Sequence, residues 1–144
     1  MESPSTKPGD CESAQRRYPP ASSVRILVVE DDAPLLSAVL SALQKYGYAA
    51  NGAATCSEAR RLFRDHIPNL LLLDISLPDG TGWDLLKEFR TCIRGKVLPA
   101  VMASSATVTR RQLREAKVEQ FVAKPFSFAE LLRAIGRALG TANP

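Results

Sequence analysis

The sequence predicts an α/β fold, a doubly wound five-stranded parallel sheet with helices on both faces. Three observations carry this. Short apolar runs, Arg25–Val29 and Leu70–Leu73 foremost, read as strands buried on both faces. Between them lie longer stretches in which apolar residues recur at helical spacing. The two kinds alternate along the chain, which implies right-handed βαβ units and parallel pairing.

Residues 1–22 are rich in Ser, Pro, Thr and Gly, with Lys7, Arg16 and Arg17 balanced by Glu2, Asp10 and Glu12. Such a segment buries too little apolar surface to offset its ordering entropy, so it is expected to be a disordered N-terminal tail. Arg16-Arg17 hints at a twin-arginine signal, but Tyr18-Pro19-Pro20 follows in place of an apolar stretch, which argues against export. One domain is expected over 23–140, with a short C-terminal tail over 141–144.

The first strand, Arg25-Ile26-Leu27-Val28-Val29, is rich in β-branched residues and ends in Glu30-Asp31-Asp32. A helix follows. Asp32 suits its N-cap, Pro34 its first turn, and Leu35, Leu36, Val39, Leu40 and Leu43 its apolar stripe, with Gly47 as the stop. Tyr48 to Ala53 reads as a weak strand. Ser57 is expected to cap a second helix running to about Asp65, with Ala59, Leu62 and Phe63 inward. The leucine strand then ends at Asp74, and Pro78, Asp79, Gly80 and Gly82 make a loop. Thr81 or Gly82 starts a third helix. Val97 to Met102 is the fourth strand, leading to Ser104-Ser105. Thr109 to about Lys117 is the fourth helix, with Arg110, Arg111, Arg114 and Lys117 on a basic outer face. Gln120–Ala123 is the fifth strand, followed by Lys124-Pro125-Phe126. Ser127 caps the fifth helix, whose stripe is Leu131, Leu132, Ile135 and Leu139.

Bulk properties exclude several classes. Of the 144 residues, 45% are hydrophobic and 24% charged, ordinary for a globular chain. No apolar run approaches the roughly 20 residues that span a bilayer. The net charge of +4 is too mild to imply nucleic-acid binding. Cys11, Cys56 and Cys92 are odd in number, lack metal-ligand spacing and read as free thiols in a reducing compartment. His66 is the only histidine, so no histidine-based metal cluster or ordinary Ser-His-Asp triad assembles around it.

In an all-parallel sheet the strand ends share one edge. That edge would gather Glu30 and Asp31, Asp74, Ser104 and Lys124. Clustered carboxylates repel one another unless something compensates. A hard divalent cation such as Mg²⁺ does so with oxygen ligands. Lys124 adds a positive charge and Ser104 a hydroxyl donor. The set suits attack by one carboxylate on phosphorus, with metal and lysine neutralising the phosphoryl oxygens.

The segments Val28-Val29-Glu30-Asp31-Asp32, Leu73 to Gly82, Leu98 to Ser104, and Phe121-Val122-Ala123-Lys124-Pro125-Phe126 together resemble the receiver domain of two-component response regulators, a flavodoxin-like fold. The resemblance covers about residues 24–139. It implies that Asp74 is the phosphoacceptor and that Glu30, Asp31 and Asp74 hold Mg²⁺ with the backbone carbonyl of Ser76. It further implies that Ser104 is the switch hydroxyl, Lys124 the phosphate-contacting lysine before a cis peptide to Pro125, and Phe121 the switch aromatic. The implied donor is a histidine kinase or phosphotransfer protein. The implied output is a downstream protein met through the fourth helix, fifth strand and fifth helix. No membrane contact, no direct nucleic-acid binding and a cytoplasmic location go with this reading. The chemistry is limited to the chain's own phosphorylation and dephosphorylation, without enzymatic turnover. The alternative is the receiver fragment of a DNA-binding transcriptional regulator. A haloacid-dehalogenase-type phosphatase would want an acid where Ser76 stands, and an FMN-binding module would want a phosphate loop where Glu30-Asp31-Asp32 stand. The chain departs from the receiver pattern at Lys117-Val118, where a small Gly-Ala pair is usual, and at Ser105, where Ala or Gly is usual. The segment from Ser104 to Lys124 is also short, which predicts a short or displaced fourth helix.

Overall fold

The computed structural model describes residues 24–93 and 97–140. The expected tails, 1–22 and 141–144, lie outside the described residues, as does Cys11. The chain runs β1 (Arg25–Val29), α1 (Ala33–Lys45), β2 (Ala49–Ala53), α2 (Cys56–Asp65), β3 (Leu70–Asp74), β4 (Ser76–Leu77), β5 (Gly80–Thr81), α3 (Gly82–Cys92), β6 (Ala100–Ser104), α4 (Arg110–Glu115), β7 (Gln120–Ala123) and α5 (Phe128–Leu139). The main sheet has the order β2-β1-β3-β6-β7, and every pairing in it is parallel.

The leucine run explains how the layers assemble. Successive strand side chains point to opposite faces. Leu71 and Leu73 pack with Phe63 of α2 and Leu85, Leu86 and Phe89 of α3. Leu70 and Leu72 pack with Val39 and Leu43 of α1 and Leu131 and Ile135 of α5. All five residues of β3 are buried, so each leucine is needed. Each such side chain contributes roughly 1.5–3 kcal/mol of burial. Phe63 and Phe89 stack across the α2–α3 seam with centroids 4.0 Å apart.

Local chemistry sets the boundaries. Asp32 caps α1 by accepting from Leu35 N–H at 3.1 Å. Gly47, at φ 107°, turns the chain out of that helix. The cap of α2 is Thr55, which accepts from Glu58 N–H, rather than the expected Ser57. The helix begins at Cys56, so Ser57 already lies inside it. Thr81 caps α3, which therefore starts at Gly82. The fourth strand of the sheet, β6, starts at Ala100 and reaches Ser104, later than expected at both ends. Pro99 carries no N–H for a ladder, and Val97 is 83% exposed. The two-residue strands β4 and β5 form an antiparallel pair inside what the sequence offered as loop. Cys56 is free and buried, but Cys92 is disulfide-bonded, which corrects the reading of three free thiols.

Helix α4 is as short as the departures implied. It has six residues and buries none of them. A capping box between Thr109 and Gln112 starts it. Its far end is held by Arg90 of α3. That guanidinium donates to the carbonyls of Ala116, Lys117 (2.9 Å) and Leu98 (3.0 and 3.1 Å). Lys117 itself turns the chain at φ 54°. Burial pulls the Arg90 guanidinium below its ordinary pKa, but it stays charged. Arg90→Met should therefore lower stability by about 2 kcal/mol, since hydrogen bonds to charged groups are worth roughly 1.5–3 kcal/mol. Urea unfolding checks this. Arg90→Lys should recover only part, because one ammonium cannot span carbonyls that a planar fork reaches together.

Candidate functional site

Strand β1 lies between β2 and β3, so the chain leaves it in one direction and returns on the other side. This is the switch point where open α/β sheets bind ligands. Val29 pairs with Leu73, which brings the next residues, Glu30 and Asp74, side by side at the carboxyl edge. Asp74 pairs with Ala103, and Ser104 pairs with Ala123, the residue before Lys124. Parallel register therefore gathers the residues that the sequence places at four separate strand ends.

Lys124 occupies the centre. Its Nζ lies 2.6 Å from Glu30 Oε1 and 3.1 Å from Asp74 Oδ2. Glu30 is 5% exposed and Asp74 7%, whereas Asp31 is exposed at the rim. The second oxygen of Glu30 accepts from Asp32 N–H at 3.0 Å. Asp74 Oδ1 accepts from Ser76 N–H at 3.3 Å. Burial pushes the Glu30 carboxyl above its ordinary range, and the bonds from Lys124 and Asp32 offset only part of this. Burial also works to lower the Lys124 ammonium, but its bonds to Glu30 and Asp74 outweigh that and hold it above its ordinary value. The Lys124–Pro125 peptide is cis, as the resemblance implied.

Ligand oxygens of Glu30, Asp31 and Asp74 lie within 4.8 Å of one another. Hard carboxylate oxygens this close, one of them solvent-facing, fit a small divalent cation that keeps several waters. The cleft above them is lined also by Ser76, Ser104, Lys124 and Pro125. Ser104 is 4% exposed, and its Oγ accepts from Ala106 N–H at 2.9 Å, so its hydroxyl is held on its own loop and not on Asp74. Phe121 is half-buried, pairs with Met102 in register, and packs on the α2–α3 side of the sheet. The sequence did not reveal the amide bonds from Asp32 and Ala106, because a backbone donor carries no residue signature. Arg110, Arg111, Arg114 and Lys117 are exposed, as expected of a basic face.

A family model described as response regulator receiver domain matches residues 26–136. The regulatory protein VanRB of Enterococcus faecalis is 32% identical over 115 residues, which is 78% of this chain and 51% of that protein. The phosphate regulon transcriptional regulatory protein PhoB of Escherichia coli is 30% identical over 122 residues, 83% of this chain and 53% of that one. The chain thus spans about half the length of the curated relatives it matches. Among solved structures, the non-phosphorylated HemR receiver domain from Leptospira biflexa is 33% identical. It superposes with a TM-score of 0.73, covering 85% of this chain and 98% of that one. A CheY-like receiver domain protein from Methanospirillum hungatei gives a TM-score of 0.74 at 28% identity, covering 82% and 94%.

Proposed function

Because this chain belongs to the response regulator receiver domain family, we propose that it is a phosphorelay switch in which Asp74 takes the phosphoryl group from a histidine kinase or phosphotransfer protein. The observation that carries this is Lys124 bonded to both Glu30 and Asp74 beneath an open cleft, with Asp31 at its rim. A carboxylate oxygen of Asp74 attacks phosphorus and forms an acyl phosphate. The P–N bond to the donor imidazole breaks, and its electron pair returns to the ring nitrogen. Mg²⁺, held by Glu30, Asp31, Asp74 and the Ser76 carbonyl, would supply charge neutralisation at the phosphoryl oxygens. Lys124 is already in place to bind one of those oxygens. Ser104 must leave Ala106 N–H to bind another, and Phe121 then repacks. The readout face is the fourth helix, the fifth strand of the main sheet (β7) and the fifth helix. The reaction is the chain's own phosphorylation and dephosphorylation, with no external turnover.

The proposal extends to one folded unit over 23–140, with 1–22 and 141–144 as tails, and to action in the cytoplasm. Among the described residues no helix is long and apolar enough to cross a membrane. A second reading is favoured by transcriptional regulatory relatives whose length this chain matches over only about half. It makes this chain the receiver part of a longer DNA-binding protein, a question that the mass of the product in its own cells answers.

The experiment pairs a small phosphodonor with a beryllofluoride mimic, with and without Mg²⁺. Wild type should be phosphorylated only with Mg²⁺, and its Phe121 resonances should shift with the mimic. Ser104→Ala and Lys124→Met should take up some phosphate yet leave Phe121 unshifted. Each loses a charge-assisted bond worth roughly 1.5–3 kcal/mol, or about a factor of 10 to 150 in the active state. Equal Phe121 shifts in all three proteins would overturn the switch assignment. Metal binding has its own readout: at ten times its Kd, Mg²⁺ should add about 1.4 kcal/mol to stability.

A further inference from the structure

Asp79 has no part in the chemistry above. It sits at the turn between β4 and β5, in the loop that follows the phosphoacceptor strand. Its carboxylate reaches across to the start of α2. Oδ1 accepts from Cys56 N–H at 2.8 Å, and Oδ2 accepts from Ser57 N–H at 3.1 Å. The opening N–H groups of a helix have no partner within it. Here the local cap, Thr55 Oγ1, serves only Glu58 N–H, at 3.1 Å. The two amides before it are satisfied from another part of the chain. These bonds, the one from Cys56 foremost, hold the Asp79 carboxyl below its ordinary range.

The stem of the loop is held by the β4–β5 pairing, by Ile75 and Leu77 packing on the core and by Thr81 capping α3, but its tip stands clear of these. Ser76, Gly80 and Thr81 are exposed, and Leu77 is only half-buried. Its base is tied by Gly82 N–H donating to the Ile75 carbonyl at 2.8 Å, and its tip by Asp79. Next to Asp79, a Cβ on Gly80 would lie 3.1 Å from Cys56 Sγ, so the tip and the helix meet closely. The same β2–α2 junction also anchors the opposite side of the acidic cleft, where Glu30 N–H donates to the Ala53 carbonyl at 2.9 Å. The two loops that flank the cleft, one carrying Glu30 and Asp31 and the other Ser76, are thus referenced to one stretch of backbone.

We infer that Asp79 is a positioning residue for the divalent-metal site: by docking the β4–β5 hairpin onto α2, it fixes the Ser76 carbonyl relative to Glu30, Asp31 and Asp74. This rests on the metal reading given above. Groups that orient metal ligands from outside the ligand set typically affect affinity by about 10–100-fold. A simple helix cap would instead change stability and leave metal binding alone.

The test compares wild type, Asp79→Ala, Asp79→Asn and Thr55→Ala, with Mg²⁺ affinity measured by amide NMR titration and stability by urea unfolding. Asp79→Ala should bind Mg²⁺ about tenfold more weakly, at the low end of that range. In the metal-free protein its Ile75 to Thr81 amides should also shift. Asp79→Asn keeps one oxygen acceptor and should fall between it and wild type, which preserves the test if the alanine variant folds poorly. Thr55→Ala removes the local cap of the same helix and should lower stability without changing Mg²⁺ affinity. Wild-type affinity in both Asp79 variants, or an equal loss in Thr55→Ala, overturns the inference alone. A wild type that binds no Mg²⁺ overturns the metal reading and the inference with it.

Discussion

Asp74→Asn is expected to accept no phosphoryl group at all while keeping the fold. The amide matches the carboxylate in size, and the strand that places it is buried at every residue, so nothing in the core has reason to move. No neighbour can take over. Glu30 is bonded to Lys124 and to Asp32 N–H, and Asp31 stands exposed at the rim. Stability without Mg²⁺ should be equal or higher. The variant loses the 3.1 Å contact between Asp74 and Lys124, but Lys124 keeps Glu30 at 2.6 Å and one of three crowded negative charges is gone. Phosphate incorporation from a labelled donor and thermal unfolding are the two measurements. Persistent labelling at an acid-stable, base-labile site would remove Asp74 from its role.

Gly82→Ala is expected to damage both fold and chemistry. Helix propensity alone favours alanine by about 1 kcal/mol at a helical position. Contact opposes it: a Cβ on Gly82 would sit 2.3 Å from the carbonyl oxygen of Asp74 and 3.1 Å from Met102 Cε. The near atom is backbone in a strand hydrogen-bonded on both sides, so it cannot swing away as a side chain would. Overpacking of this kind typically costs about 1–3 kcal/mol, occasionally more. Contact should win, and urea unfolding should show a net loss of about 1–2 kcal/mol. The displaced atoms belong to Asp74, the proposed phosphoacceptor, and a misplacement of about 1 Å can slow a reaction about 10²-fold. Phosphorylation by a small donor should therefore slow by about that factor in the fraction that remains folded. A variant as stable and as fast as wild type would show that the Asp74 carbonyl has room to yield.

The fold was legible because its strongest element carries its own orientation. Four leucines in a row need two apolar layers, and alternating segments need parallel crossovers. The polar residues of the site were legible for a related reason: each stands where a strand leaves the core, and parallel strands leave it at one edge. The sequence did not show which strands are neighbours, so the closeness of Glu30 and Asp74, each one residue past the Val29–Leu73 pair, is visible only in the structure. Arg90 and Asp79 were also hidden. Both bond backbone groups more than 20 residues away, and a main-chain carbonyl or amide looks the same whatever side chain it carries. Ser57 was misread for the same cause, since the amide that it contributes to α2 is served by Asp79 and its neighbour Thr55 is the cap.

Helix α4 has a thermodynamic consequence beyond its length. With six residues, none fully buried and only Leu113 resting on the core, it adds little to the cooperative unit formed by the sheet and the other helices. Its capping box and the Arg90 bonds are what keep it wound, so it can open and close at a small fraction of the global unfolding free energy. A partner that grips the wound form must absorb the entropy of ordering it, and any event at the strand ends that biases winding removes part of that burden beforehand. The face that contains α4 can then carry a message as a change in how often it is formed, with little change in its shape when formed.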